Sequence, residues 1–399
     1  MTENALMPTY NRFPVDFVRG EGAVLVSAEG RRYLDALSGI AVCGLGHAHP
    51  EIAAALADQA KTLIHTSNLY GVPLQSALAA RLTAAAGMSN VFFCNSGTEA
   101  NEAAIKIARR YAHQRGVQNP VILAFDGAFH GRTMGALSAT GSARAHAGFD
   151  PLLPGFEHVP FGDMRAVKKR IARGDVVAVM VEPIQGENGV VVPRPGFLAA
   201  LRALTARHEI LLMADEVQTG VGRTGKLFAC AHEDVVPDVL TLAKALGNGV
   251  PIGACLAHNA AADVLAPGQH GSTFGGNPLA ARAGLTVLDV IERDGIIENA
   301  ARMGERLQTG LAARLADCAL VTAVRGRGLM VGVALDRPCA ELAARALERG
   351  LLINVAAGQV IRLLPPLIVN AAQVDEIVST VADLVEAFAA EHSSVRVAS

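Results

Sequence analysis

The sequence lacks the features that would place the chain on a membrane, on nucleic acid or in an oxidising compartment. Its six cysteines form no CxxC pair, so neither a zinc knuckle nor a disulfide framework is indicated, and we expect free thiols. A net charge of −2 without a lysine-arginine block provides no electrostatic footprint for nucleic acid or anionic lipid. No apolar run approaches the roughly 18 residues that span a bilayer, and charged residues interrupt positions 1–20. We therefore expect a cytoplasmic protein that acts on small molecules.

The chain is long and apolar enough to bury a large core. It has 399 residues, of which 51% are hydrophobic and 18% charged, together with 40 glycines. This composition argues against disorder, and the length favours more than one domain. A globular α/β enzyme fits these numbers.

Short apolar runs alternate with helical periodicity through most of the chain. Residues 100–111 carry apolar side chains at i, i+3, i+4 and i+7, which predicts a helix. Near-continuous apolar runs are typical of strands that are buried on both faces. The alternating order predicts a mainly parallel α/β sheet. The runs are 91–93, 121–123, 176–181, 210–213 and 239–242.

The pattern of predicted secondary structure changes after residue 278, where an alanine-rich helical stretch leads into short strands and a final amphipathic helix. We interpret 281–399 as a smaller α+β domain and 61–280 as the large domain. The N-terminal segment, 1–60, is expected to contribute to the small domain.

A strand, a small-residue turn and a helix start follow one another at residues 92–101. Ser96 and Glu99 have the spacing of a capping box, which leaves the first helical amides near Gly97 and Thr98 open. This arrangement suits a phosphate. An ordinary capped helix explains the same pattern when it is taken alone.

Two further predicted strands are followed by an acidic residue and by a lysine. The run 210–213 leads to Asp215, and the run 239–242 leads to Lys244 among small and apolar neighbours. Ligand sites form at the carboxyl edge of parallel sheets, so the two side chains are expected to meet there. A buried carboxylate can hold a pyridinium nitrogen, and a desolvated lysine can form a Schiff base. A turn-capping acid and a solvated lysine are the alternatives for each residue alone.

Six motifs in this order resemble class-III aminotransferases, which depend on pyridoxal phosphate (PLP) and have the type I fold. The resemblance implies a large domain with a mainly parallel seven-stranded sheet flanked by helices, a smaller α+β domain and a homodimer with shared active sites. The motifs are SGTEAN at 96–101, FHGRT at 129–133, EPIQGE at 182–187, DEVQTGVGRTG at 215–225, TLAK at 241–244 and STFGGNP at 272–278.

The resemblance also implies a role for each matched residue. Lys244 would carry the cofactor as a Schiff base and shuttle protons, and Asp215 would hold the pyridine nitrogen. Phe129 would stack on the ring, Gln218 would bind its hydroxyl, and Thr273 would reach the phosphate of the neighbouring subunit. The remaining cofactor contacts implied are Ser96, Gly97, Thr98, Glu216 and Val217.

Within the class, the chain most resembles acetylornithine aminotransferases, which transfer the terminal amine of N-acetylornithine to 2-oxoglutarate in arginine biosynthesis. The resemblance implies that Arg132 binds the distal carboxylate and Arg362 the α-carboxylate of glutamate, with Ser272 also in the substrate site. Arginine suits both places because its planar fork binds a carboxylate through two hydrogen bonds. Glu187 would pair with Arg362 when the terminal-amine substrate is bound. Succinylornithine, succinyldiaminopimelate and ornithine remain alternative donors. For ornithine, Tyr10 falls near a position where ornithine enzymes use a tyrosine, whereas Ile40 lacks the aromatic ring typical of them.

Other classes of function explain parts of the sequence. Residues 220–225 match the GxGxxG fingerprint of NAD-dependent Rossmann oxidoreductases, but residues 226–232 do not have a clear amphipathic helix start. His47 and His49 have no third ligand at compatible spacing, so a loop before a helix near Glu51 is favoured over a metal site. A non-catalytic binding protein would be expected to lose the strand-end lysine or acid, and both are present.

Overall fold

The computed structural model describes residues 5–393, and the apolar runs form strands within this range. The strands are β1 (Phe17–Glu21), β2 (Val24–Ser27), β3 (Arg32–Asp35), β4 (Asn90–Cys94), β5 (Val121–Phe125), β6 (Phe156–Val159), β7 (Val176–Val181), β8 (Leu211–Asp215), β9 (Val239–Leu242), β10 (Gly253–Ala257), β11 (Val321–Arg327), β12 (Met330–Leu335), β13 (Leu351–Leu352), β14 (Asn354–Ala356) and β15 (Val360–Leu363). The helices are α1 (Ser38–Ala41), α2 (Pro50–Thr62), α3 (Pro73–Ala86), α4 (Gly97–Gln114), α5 (Met134–Ala139), α6 (Ala143–His146), α7 (Met164–Ile171), α8 (Phe197–Arg207), α9 (Pro278–Arg293), α10 (Ile296–Arg314), α11 (Leu342–Glu348) and α12 (Ala371–Ser393).

Seven strands of the described chain form the central sheet, in the order β4-β10-β9-β8-β7-β5-β6. All neighbouring pairs are parallel except those of β10, which runs antiparallel to β4 and β9. The prediction of a mainly parallel sheet is confirmed. The sequence predictions did not include β6 and β10, because FEHV is half polar and GACLA has small residues of low strand propensity.

The parallel strands end at one edge of the sheet. Because β10 is antiparallel to both of its neighbours, β4 points in the same direction as β9. The segments that follow β4, β5, β7, β8 and β9 therefore lie at the same carboxyl edge. This shared edge is where sequence reasoning expected the acid and the lysine to meet.

Two smaller four-stranded sheets complete the described chain. One has the order β1-β2-β3-β13, and its last pair joins Leu34 to Leu351 in parallel. The other has the order β11-β12-β15-β14 and is antiparallel. N-terminal strands thus share a sheet with a strand that lies more than 300 residues later.

The division of the chain at 1–60, 61–280 and 281–399 stays a prediction. Residues 1–4 and 394–399, which it assigns to the first and last parts, lie outside the described residues. In the described range, no helix combines the length and apolar character needed to cross a membrane.

Candidate active site

A cavity of about 390 Å³ opens at the carboxyl edge of the central sheet, and we call it the central cavity. The chain segments that line it are far apart in sequence and meet only because the strands are parallel. Nine of the residues singled out in the sequence line its wall: Ser96, Gly97, Thr98, Phe129, Arg132, Asp215, Val217, Gln218 and Lys244.

Helix α4 begins at this cavity, and Ser96 caps it as expected, while the Glu99 carboxylate reaches the amide of Asn95 instead of that of Ser96. The Ser96 hydroxyl accepts a hydrogen bond from the Glu99 amide at 3.2 Å, and the Glu99 carboxylate accepts one from the Asn95 amide at 2.7 Å. The first amides of a helix have no intrahelical acceptor, so this end carries partial positive charge. A Cβ on Gly97 would lie 2.6 Å from Val217 Cγ1, so only glycine fits against that side chain. The helix start can therefore accept an anionic group from the cavity.

Asp215 is held at the end of β8 by a buried network. Its Oδ2 accepts hydrogen bonds from Asn101 Nδ2 at 2.7 Å and from His130 Nδ1 at 2.8 Å, and its Oδ1 accepts one from the Val217 amide at 3.0 Å. Only 4% of Asp215 is exposed. The network fixes the carboxylate in one orientation on the wall of the cavity.

His130 and Glu182 are two titratable groups that interact with Asp215. Burial alone would lower the pKa of His130, but the hydrogen bond to Asp215 and its charge outweigh burial, so the pKa is raised. Burial raises the pKa of Glu182 to about 7, against the attraction of His130 and with the repulsion of Asp215. The carboxylate of Glu182 accepts hydrogen bonds from the Phe129 amide at 3.0 Å and the Gly186 amide at 3.3 Å. The hydrogen bond and charge of Asp215 thus favour the protonated form of His130 by more than burial disfavours it.

Lys244 follows β9 in a backbone conformation that is uncommon for a residue with a side chain, with φ at +47°. Lys244 is partly exposed and lines the wall of the central cavity. Burial lowers the pKa of its ammonium group, and the carboxylates of Glu187 and Asp215 act in the opposite direction. A lowered pKa increases the fraction of neutral amine, which is the nucleophilic form.

Phe129 and Arg132 lie between the central cavity and a neighbouring one. The guanidinium carbon of Arg132 is 5.5 Å from the centre of the Phe129 ring, within the range of a cation–π contact. Arg132 is exposed, and both residues line both cavities. The arginine can therefore contact a ligand that extends from one cavity into the other.

Arg362 is buried on β15 and forms an ion pair with Glu187. Its Nη1 donates to Glu187 Oε1 at 2.6 Å, and its Nε donates to Asn354 Oδ1 at 3.0 Å. Arg362 is 1% exposed, whereas 38% of the Glu187 side chain is exposed. Burial would raise the pKa of Glu187, but the charges of Arg362 and Lys244 lower it overall. Glu187 is thus an ionised counter-charge on the rim of the site.

Five predicted residues do not line the central cavity: Glu187 and Arg362, described above, and Glu216, Ser272 and Thr273. The Glu216 carboxylate accepts hydrogen bonds from the amides of Ala229 at 2.6 Å and Cys230 at 2.8 Å, which hold it in the following loop. The Ser272 hydroxyl accepts one from Asn95 Nδ2 at 3.2 Å, and Thr273 is exposed. Glu216 therefore shapes a loop in this chain, and Thr273 is accessible from outside.

Asn101, His130 and Glu182, which bind Asp215 or lie beside it, have no predicted role in the sequence. Each belongs to one of the quoted motifs, but the signal that would have identified them is their burial, at 5% exposed or less. Buried polar side chains require partners, so burial marks them as members of a network. Burial of single polar residues cannot be read from one sequence.

The GxGxxG stretch does not form a dinucleotide site. Residues 216–228 after β8 contain no helix, and a 3₁₀ turn begins only at Ala229. Arg223 within the stretch is 1% exposed and donates to the carbonyl oxygens of Leu329 at 3.0 Å and Pro365 at 2.5 Å. This segment connects the central sheet to the C-terminal part of the chain.

The histidine pair is likewise part of the structure around it. His47 Nε2 lies 2.8 Å from Asp35 Oδ2, and helix α2 begins at Pro50. The prediction of a loop that leads into a helix is confirmed.

Comparisons with known proteins agree on one enzyme class. A sequence model of class-III aminotransferases matches residues 6–385. The chain is 51% identical over 384 residues to the acetylornithine aminotransferase of Nitrosomonas europaea, covering 96% of this chain and 98% of that protein. For the acetylornithine aminotransferase of Mycolicibacterium smegmatis the identity is 48% over 381 residues, covering 94% and 95%.

Solved structures of two related enzymes also match. The N-acetylornithine aminotransferase of Stenotrophomonas maltophilia has a TM-score of 0.84 at 39% identity, with 96% of this chain and 98% of that chain covered. The ornithine aminotransferase of Toxoplasma gondii has a TM-score of 0.94 at 33% identity, with 97% and 94% covered. The backbone of this chain therefore resembles both kinds of enzyme, whereas its higher sequence identities are to acetylornithine aminotransferases.

Proposed function

The chain belongs to the class-III aminotransferases, and from that premise we propose that it transfers the terminal amino group of N-acetylornithine to 2-oxoglutarate. The products are N-acetylglutamate 5-semialdehyde and glutamate, in arginine biosynthesis. Relatives about 50% identical over nearly the whole chain carry the name acetylornithine aminotransferase, which supports this donor. The observation that carries the chemistry is the meeting of Lys244, Asp215 and the start of α4 in one cavity.

The residues of the central cavity fit pyridoxal phosphate. The open amides of α4 suit its phosphate, and the absent Cβ of Gly97 leaves the helix close against Val217. Asp215 suits the ring nitrogen because it is buried and fixed by three donors. Phe129 and Gln218 would contact the ring face and its hydroxyl. When bound, the cofactor would supply an electron sink for the bond broken at the substrate carbon.

Lys244 is the group that would link to the cofactor and move the proton. Its lowered pKa supports a neutral Nζ that can take a proton from the substrate carbon and return it elsewhere. His130 would hold the Asp215 carboxylate in place through its Nδ1 hydrogen bond, and this contact raises the pKa of His130. Lys244 would thus move protons, and Asp215, held by His130, would bind the ring nitrogen.

Arg132 and Arg362 would recognise the two substrates. N-acetylornithine has no carboxylate next to its reacting carbon, so Glu187 would stay paired with Arg362 while Arg132 binds the distant carboxylate. Glutamate and 2-oxoglutarate carry an α-carboxylate, which would displace Glu187 and take its place on Arg362. The partial exposure of Glu187 supports this exchange, because the side chain has room to turn outward. If Glu187→Ala slowed both half-reactions equally, this role would be abandoned.

We also propose a homodimer in which Thr273 reaches the phosphate of the neighbouring subunit. Thr273 is exposed here, next to Phe274, which is 59% exposed, and Leu69 is 86% exposed. Exposed apolar side chains in this region support contact with a second copy. Ser272 would belong to the same composite site, and Glu216 would contribute by shaping the loop after β8. Sedimentation analysis of wild type and Thr273→Ala, together with cofactor affinity, tests this assembly.

Ornithine is a second candidate donor. The TM-score of 0.94 to an ornithine aminotransferase favours it, while Ile40 stands where ornithine enzymes typically have an aromatic residue. Succinylornithine differs from the acetylated donor by a carboxylate at the end of its acyl group, and succinyldiaminopimelate carries a further carboxylate on its reacting carbon. These donors therefore differ from N-acetylornithine in charge as well as in length.

A half-reaction decides among these donors. Cofactor-loaded protein is mixed with N-acetylornithine, ornithine, succinylornithine or 4-aminobutyrate, and the absorbance of the lysine-bound cofactor is followed. Rapid loss with N-acetylornithine, slower loss with ornithine and none in Lys244→Ala would support both chemistry and donor. Faster loss with another amine would replace the donor, and a reconstituted protein without the absorbance band would overturn the chemistry.

A further inference from the structure

The position of Arg132 depends mainly on the backbone that carries it. Residues 129–133, which we call the arginine segment, form neither helix nor strand, and Arg132 is exposed on it. Its guanidinium carbon lies 5.5 Å from the centre of the Phe129 ring, and within the described range no carboxylate forms an ion pair with it. The contacts that hold the arginine segment therefore decide where Arg132 can bind a substrate carboxylate.

Glu102, in the second turn of α4, holds the end of the arginine segment. Its Oε1 accepts hydrogen bonds from the Thr133 hydroxyl at 2.5 Å, the Gly135 amide at 3.0 Å and the Ala136 amide at 3.1 Å. The two amides belong to the first turn of α5, whose own N-cap residue, Thr133, makes no side-chain capping bond. A carboxylate from another helix thus caps α5 and fixes the point at which the arginine segment ends.

The same contact joins the arginine segment to the first turn of α4. Thr98 Oγ1 lies 2.9 Å from Thr133 Oγ1, so the two hydroxyl groups and the Glu102 carboxylate form one hydrogen-bonded row. A Cβ on Gly131 would lie 2.2 Å from Thr98 Oγ1, so the arginine segment passes directly over that side chain. Thr98 lines the central cavity at the helix start that suits a phosphate. The row therefore links this helix start to the segment that carries Arg132.

Gly135 leaves room for the Glu102 carboxylate. A Cβ at this position would lie 2.5 Å from Glu102 Oε2 and 2.7 Å from Oε1. Gly135 lies within helix α5, and alanine favours a helix more than glycine does. Gly135→Ala should therefore displace the Glu102 carboxylate while the helix itself is kept.

We propose that Glu102 is a positioning residue that holds Arg132 in one place relative to the start of α4. This inference rests on the proposed function, in which Arg132 binds the distal carboxylate of the donor. Glu102 acts through the backbone, because it holds Thr133 and the first turn of α5, and these hold the arginine segment. A misplacement of about 1 Å in a binding group can cost about a hundredfold in rate, so Glu102 affects turnover without touching the substrate.

Binding of N-acetylnorvaline tests this role apart from turnover, because the compound keeps the carboxylate of N-acetylornithine and lacks its terminal amine. It is titrated calorimetrically into cofactor-loaded wild type, Glu102→Ala, Gly135→Ala and Glu102→Gln. Since Arg132 loses its fixed place, the first two variants should bind the compound about tenfold more weakly. Glu102→Gln should recover most of this loss, because its amide oxygen can still accept hydrogen bonds. Glu376→Ala, which changes an exposed glutamate on α12, is the control.

Two kinetic comparisons distinguish positioning from a general loss of structure. In an Arg132→Ala background, Glu102→Ala should lower kcat/KM for N-acetylornithine less than about twofold, because the group that it positions is absent. In the wild-type background, Glu102→Ala should slow the half-reaction of N-acetylornithine about tenfold. N-acetylputrescine is the same amine without the carboxylate, and its half-reaction should slow less than about twofold.

The outcomes separate the positioning role from the proposed function. A tenfold loss that persisted in the Arg132→Ala background, or that was equal for the two donors, would overturn the positioning role. Unchanged binding of N-acetylnorvaline in Glu102→Ala would overturn it as well, while the proposed function would stand if wild type used N-acetylornithine. If wild type did not react with N-acetylornithine, the proposed function itself would fall.

Discussion

Replacement of Glu187 by glutamine is expected to slow one half-reaction and spare the other. The glutamine keeps the shape of the side chain and removes its charge, so Arg362 loses its counter-charge while the terminal amine donor is bound. Arg362 is 1% exposed, and water cannot readily replace the lost partner. When an α-carboxylate is bound instead, it supplies that charge, and Glu187 is not needed.

The size of the effect follows from the geometry of the pair. The atoms Arg362 Nη1 and Glu187 Oε1 are 2.6 Å apart, and hydrogen bonds between charged groups contribute about 1.5 to 3 kcal/mol. Because 38% of the Glu187 side chain is exposed, solvent screening places this pair at or just below the lower limit. A loss of about 1.4 kcal/mol corresponds to about a tenfold fall in kcat/KM for N-acetylornithine. For glutamate, kcat/KM should stay the same or rise, since no ion pair has to be broken.

Single-turnover kinetics with each substrate measures both half-reactions separately. Glu305→Gln, an exposed glutamate on α10, is the control for loss of one negative charge. The ratio of kcat/KM for N-acetylornithine to that for glutamate should fall at least tenfold in Glu187→Gln and remain unchanged in the control. A parallel fall in both half-reactions would show that Glu187 acts on the site as a whole, and the exchange model would be refuted.

Three further changes test other parts of the site. Lys244→Ala should abolish turnover and the lysine-bound absorbance band while cofactor still binds, and added methylamine should restore measurable proton transfer. Gly97→Ala places a Cβ 2.6 Å from Val217 Cγ1, so cofactor affinity measured by equilibrium dialysis should fall about tenfold; Val217→Ala in the same chain should recover most of it. Because folding raises the pKa of Glu182 to about 7, its neutral carboxyl group adds to the free energy of unfolding. This contribution is complete below pH 4.5 and is lost as the pH rises through 7. Glu182→Gln cannot titrate, so its deficit in Tm relative to wild type should be largest near pH 5 and smaller near pH 8; a constant deficit would argue against that pKa.

Most of the central sheet could be predicted because its strands are apolar on both faces. The runs that became β5, β7 and β9 stand out from the helices between them. Strand β10 has small residues, and its place between β4 and β9 depends on antiparallel pairing with both. Its pairing with β4 spans more than 150 residues and leaves no local pattern in the sequence.

The same distinction applies to the candidate site. The capping box of α4 is local, so Ser96 and Glu99 were predictable from their spacing. The loop after β8 shows the limit of a motif, because Glu216 lies between Asp215 and Val217 but its carboxylate is bonded within the loop. Side chains alternate in direction along an extended segment, so neighbouring residues need not face the same space.

The sequence alone determined the enzyme class and the chemical groups available to it. Motif order placed a lysine, an acid and a helix start at strand ends, and parallel strands bring such ends together. Only the tertiary structure decided which of these groups are paired. The contact between Glu187 and Arg362 spans 175 residues, and that between His130 and Asp215 spans 85. A pair of this kind depends on distances of a few ångströms and on exclusion of water, and both arise from packing rather than from residue type.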